Sequence, residues 1–181
     1  MSDKRIELID EIEKWIPKVS ADPTFLELAF FKIFVKFENF ITDTIFVYAT
    51  ESAVNVNKVK LRVKFDDREH FKNITGLQYL DTGIKTKKLV DQIFTSENSF
   101  SFFFNSSDSK FFEDMKLLRN YIAHESEESK KKYINKTLCE VGGGFIEPND
   151  FLKSKKTANS DSIYTKFINM VLTYSKSIDY N

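Results

Sequence analysis

The stretch from Phe25 to Tyr48 constrains this chain more than any other. Lys32, Lys36, Asn39 and Asp43 line up at helical spacing as one narrow polar stripe, and nearly everything else is apolar. At about 100° per residue this pattern predicts a helix, roughly Pro23 to Thr50, buried on most of its sides. Ser20-Ala-Asp22-Pro23 supplies the start signal, with proline near the first turn. Lys32, Lys36, Glu38 and Asp43 interrupt the run and argue against a membrane span. A helix covered on most sides needs other helices around it. The sparse glycine and proline, 5 and 3 residues, suit a helix-dominated chain, and 19 phenylalanines imply aromatic packing. The expected fold is all-α, an up-and-down bundle of about four to five helices with a small non-helical insertion. One domain over residues 1–181 is expected at this length.

The remaining elements follow in order. Ile6 to Ile16 reads as a short amphipathic helix, apolar at Ile6, Ile9, Ile12 and Ile16 with Leu8 and Trp15 beside them, and ended near Pro17. Val54 to Phe65 alternates apolar and basic residues with a strand-like period of two, although no partner strand is obvious. Its Lys/Arg teeth suit phosphate or simply a solvated face. Phe71 to Leu80 is ambiguous. Lys85 to Phe94 reads as a short helix burying Leu89, Ile93 and Phe94. Thr95 to Ser109 reads as a loop anchored by Phe100, Phe102, Phe103 and Phe104. Acids from Glu125 onward open a further helix, where the dipole favours them, and Lys130 to Lys132 follow on it. Val141-Gly-Gly-Gly144 lacks the lysine and Ser/Thr of a P-loop and reads as a stop and turn. Pro148 starts a turn anchored by Phe151 and Leu152, Lys153 to Asp161 is polar, and Ile163 to Ile178 closes the chain as an amphipathic helix.

Glu38 breaks the pattern of the long helix. It lies opposite the polar stripe among Phe31, Phe34 and Ile45, where a carboxylate is costly unless paired. Lys110 to Ala123 forms a second amphipathic helix with Phe111, Met115, Leu118 and Ile122 on one face and Phe112 at its edge. Arg119 falls inside that apolar arc. A Glu38–Arg119 contact would satisfy both charges; the plain alternatives are that Glu38 reaches solvent or pairs with another base, and that Arg119 snorkels. Asn120 and His124 share the opposite side, so Arg119 and His124 stand about 140° apart on an ideal helix. They meet only if the helix ends or distorts near Ala123, the Arg side chain wraps round, or a second chain completes the site.

Arg119-Asn-Tyr-Ile-Ala-His124 resembles the signature of the HEPN superfamily, small helical domains with an Arg, a polar residue, a few more residues and a His near the end of a late helix. The likeness covers most of the chain in layout, but in residues only this motif and Glu38. It implies a ribonuclease with the motif at a two-fold interface, often a toxin or a phage-defence protein held in check by an antitoxin or other inhibitory partner. The site residues it implies are Arg119, Asn120, His124 and Glu38. Some members of that superfamily instead bind RNA or nucleotides, or dimerise, without cutting.

The residues themselves bear on the chemistry. His124 is one of two histidines; the other, His70, lies in a charged run. Imidazole titrates near neutral pH, so His124 is the first acid–base candidate. No metal-ligand spacing is seen, no cofactor is implied, and no nucleophile turn of a Ser–His hydrolase is evident. RNA carries its own nucleophile in the 2′-hydroxyl. A His can move its proton, an Arg can stabilise charge on the phosphate oxygens, and Asn120 can orient either. The reaction uses a base and an acid, so one His per chain points to a homodimer. Zero formal net charge means that any RNA binding must use local basic patches. The single Cys139 and the charged amphipathic N-terminus lead to the expectation of a cytoplasmic protein. A non-catalytic binding or dimerisation module, or a plain helical scaffold, remains the alternative.

Overall fold

In the computed structural model the described residues are all-α apart from a two-stranded ribbon. The structure describes residues 1–51, 59–76, 80, 82–139, 142 and 144–180. The expected central helix is α2 (Leu26–Ala49), entered through a 3-10 turn at Pro23–Phe25. Asp22 opens that turn, its carboxylate accepting the Thr24 N–H at 2.9 Å. Before it comes α1 (Asp3–Ala21). After it come α3 (Arg68–Thr75), α4 (Ile84–Ile93), α5 (Ser99–Phe104), α6 (Ser109–His124), α7 (Glu127–Lys132), α8 (Pro148–Lys153) and α9 (Ile163–Ile178). A π-helical segment, Tyr133–Leu138, continues α7.

Nine α-helices therefore stand among the described residues, more than the expected four to five. The surplus is short: α1, α2, α6 and α9 are long, α4 and α7 occupy stretches that read as short helices, and α3, α5 and α8 occupy stretches that read as ambiguous, loop or turn. All the long helices lean on α2, which touches α1, α3, α6, α8 and α9. Its Phe30, Ile33, Phe34, Phe37, Phe40 and Ile41 are fully buried, as the narrow stripe requires.

Three readings change in the structure. α1 passes through Pro17 instead of stopping there. Pro17 and Glu13 are both exposed, so the carbonyl that loses its helical donor faces water. The buried face of α1 is Leu8, Ile12 and Trp15, whereas Ile6 and Ile16 are exposed. Second, the strand partner that the sequence hid is β2 (Phe94–Asn98), antiparallel to β1 (Val59–Leu61). Arg62, one of the basic teeth, is used structurally: its Nε donates to the Phe94 carbonyl at 3.0 Å. Third, the Ser/Asn-rich stretch holds a helix, α5, capped by the Asn98 side chain accepting from Ser101 N–H at 2.9 Å. Phe100, Phe103 and Phe104 are buried there and Phe102 is exposed. Residues 54–58 of the expected strand, and Val141 and Gly143 of the glycine run, lie outside the described residues. Gly142 has φ 106°, which suits the turn expected there.

Two packing features place the surfaces discussed below. Phe37 of α2 stacks on Phe112 of α6 at 5.4 Å, and Phe103 of α5 meets both rings edge-on. This aromatic group fixes where α6 lies along α2. At the chain ends, the Ser2 amide donates to the Asp179 carboxylate at 3.2 Å, and both residues are buried. That clasp ties the first turn of α1 to the end of α9, while the Glu7–Lys36 pair at 2.9 Å joins α1 to α2.

Candidate functional site

Glu38 follows Phe37, and Arg119 lies two helical turns beyond Phe112 on the same face of α6. The Phe37–Phe112 stack thus brings the two charges together. Arg119 Nη2 donates to Glu38 Oε2, forming the salt bridge read as an expectation from the wheel. Arg119 Nη1 donates to Asn120 Oδ1 at 2.7 Å, and its guanidinium lies 5.6 Å from the Phe34 ring centre. The two side chains are only 13% and 20% exposed, so the pair is partly withdrawn from water. Low dielectric strengthens it and makes either partner expensive to leave alone.

The buried face of α6 is Phe112, Met115 and Leu118; Phe111 and Ile122 are half-buried. The helix runs through His124 and stops there. Glu125 takes the left-handed conformation at φ 45°, and its N–H caps the Tyr121 carbonyl at 2.8 Å. His124 is the last helical residue and is exposed.

The geometry resolves the angle between Arg119 and His124 through a shared cleft. A cleft of about 270 Å³ is lined by Phe31, Val35, Glu38, Asn39 and Thr42 of α2, by Leu80, and by Arg119, Ala123 and His124 of α6. Glu38 draws the Arg119 head toward α2, while His124 reaches the same hollow from the helix end. His124 also borders a second cleft of about 220 Å³ with Leu117, Asn120, Ser126, Glu128, Ser129 and Lys132. So Glu38, Arg119 and His124 line one hollow, and Asn120 bonds Arg119 while lining the other.

The first cleft continues in two directions. Through Phe31 and Ala123 it meets a hollow of about 460 Å³ lined by Thr24, Glu27, Leu28 and Ile122. Acids gather at that end: burial, then Glu125 and Glu147, push the Glu27 carboxyl above its usual range. Through Asn39 and Thr42 it meets a hollow of about 320 Å³ lined by Lys4, Asp43, Phe46, Arg68 and Lys72. Asn39 was legible only as a member of the solvent stripe; its place beside Glu38 on the stripe's edge was the available signal.

The other candidate groups are engaged elsewhere. His70 Nδ1 accepts the Asp66 N–H at 3.2 Å on the far side of α3's start. Of the three lysines on α7, Lys130 lies 4.3 Å over the Phe145 ring and Lys132 pairs with Glu128 at 2.6 Å. Cys139 is exposed and unpaired. Among the described residues no group of three or more His, Cys, Asp or Glu side chains comes together as metal ligands do. No helix among them is long and apolar enough to cross a membrane. Comparison of the chain with models of protein families, with curated proteins and with solved structures finds no match.

Proposed function

We propose that the protein is a metal-independent endoribonuclease of HEPN type, acting at a cleft completed by a second copy of the chain. The observation that carries this reading is the ion-paired Arg119, held by Glu38 and Asn120, lining the same hollow as His124. Arg119 is a permanent cation with two of its nitrogens fixed, which preorganises it for charge on phosphate oxygens. One imidazole takes the 2′-hydroxyl proton as O2′ bonds to phosphorus; the P–O5′ bond breaks, and a second imidazole protonates O5′. The products are a 2′,3′-cyclic phosphate and a 5′-hydroxyl.

One chain supplies one His124, so the partner copy supplies the other. Leu28 is exposed, and Phe31 and Ile122 half-buried, beside the site. They give a second copy apolar surface to cover, next to the motif. In the up-and-down bundle that the resemblance implies, this setting belongs to toxins and defence proteins, and an inhibitory partner follows from the same likeness; the single Cys139 supports a cytoplasmic location. The rival reading is a non-catalytic RNA- or nucleotide-binding or dimerisation module, in which the Arg119–Glu38 pair holds the two helices together and does no chemistry.

End-labelled RNA incubated in EDTA with wild type, His124→Ala and Arg119→Ala separates the two. The enzyme reading predicts cleavage with cyclic-phosphate ends for wild type and a loss of at least about 100-fold in each variant. RNA bound by all three and cut by none establishes the module instead.

A further inference from the structure

The hollow beyond Asn39 and Thr42 is basic in a chain whose formal net charge is zero. Lys4, Arg68 and Lys72 line it, with Asp43 as the one acid. Asp43 is already occupied: it accepts from Arg68 and from the Tyr180 hydroxyl, the latter at 3.1 Å. Arg68 is further set by lying 4.7 Å from the Phe46 ring centre. Lys4 shares Glu7 with Lys36, at 2.6 and 2.9 Å. Lys72 has no ion-pair partner among the described residues. Four cations therefore face two carboxylates at this corner, and one of the cations is uncommitted.

The opposite end of the motif cleft has the other sign. Glu125 and Glu147 lie close enough to act on Glu27, and all three on Tyr121. A polyanion seated at Arg119 and His124 is repelled at the Glu27 end and attracted at the Lys72 end. The two hollows share Asn39, which is exposed, so the path between them is open to solvent.

We infer that Lys4, Arg68 and Lys72 form a phosphate-binding subsite for the single-stranded RNA flanking the cleavage point, entered from the motif cleft past Asn39. This rests on the reading of that cleft as an RNA site. Lys72 and Lys4 contact backbone phosphates without reading sequence. Arg68 holds the wall in shape through Asp43 and Phe46.

The test measures binding in a His124→Ala background, so that RNA is not consumed. A fluorescent single-stranded RNA of about 12 nucleotides is titrated at several salt concentrations. Removing two phosphate contacts, Lys4→Ala with Lys72→Ala, should lower the slope of log K against log salt by about 1.4, at about 0.7 per contact. Lys4→Arg with Lys72→Arg should keep the slope. Lys155→Ala with Lys156→Ala serves as a charge-matched control, since those lysines line a separate hollow at the far end of α6. An unchanged slope in the first double variant, or an equal drop in the control, overturns the subsite. A lowered slope together with no cleavage by wild type in EDTA keeps the subsite and rejects the nuclease; His124-dependent cleavage with an unchanged slope does the reverse.

Discussion

At Glu38 and Arg119 two charges occupy places that neither could hold alone. Replacing Glu38 with Ala leaves a cation in a largely apolar wall, which should cost about 2 kcal/mol in urea unfolding, below the fully buried range because both side chains keep some solvent. The double variant with Arg119→Ala should cost less than the sum of the two singles, and strict additivity would rule out the coupling. Glu27 shows the opposite electrostatics. Burial, and then Glu125 and Glu147, raise its carboxyl above the ordinary 4.5, so its charged form weighs against the fold at neutral pH. Glu27→Gln should therefore stabilise the protein at pH 7. That gain should fade as the pH falls through the raised folded value and vanish below the unfolded one, as pH-dependent melting will show. The sequence exposed Glu38 and Arg119 because each interrupts an apolar arc. It did not expose Asn120's bond to Arg119, since neighbouring residues on a helix point apart and only the length of the Arg119 side chain joins them.

At the scale of elements, periodicity located α2, α4, α6 and α9 because each carries a long apolar face. It failed where local punctuation was misleading. Pro17 costs one helical hydrogen bond, but Trp15 and Val19 still pack on the core and hold the helix past it. The partner of β1 was hidden because Phe94–Asn98 shows no alternation of its own; pairing across the sheet, and not its own pattern, makes it a strand. α5 was hidden by its short length and its serines, though Phe100, Phe103 and Phe104 bury one side of it. Helix α6 ends on a residue ill suited to its backbone: Glu125 sits at φ 45°, a region that favours glycine. Glu125→Gly should raise stability by about 1 kcal/mol in urea unfolding while leaving the end of the helix at His124 in place. A loss of stability would mean that the Glu125 side chain has a role that its backbone does not reveal.

For the whole molecule, zero net charge concealed a separation of signs along one groove, with acids at the Glu27 end and bases at the Lys72 end. No sequence pattern could show this, because Lys4, Arg68 and Lys72 come together only through the packing of α1 and of α3 on α2. The same groove carries the exposed Leu28 beside the motif, and the proposed reaction asks for two imidazoles. Assembly and chemistry should then be linked. The most direct test is the rate of RNA cleavage in EDTA as protein concentration is lowered through the dimer dissociation range. The account predicts a rate that falls with the square of concentration there, since only dimers cut, and cleavage by His124→Ala at least about 100-fold slower at every concentration. Cleavage strictly proportional to the concentration of a monomer, or an undiminished rate in His124→Ala, would contradict it.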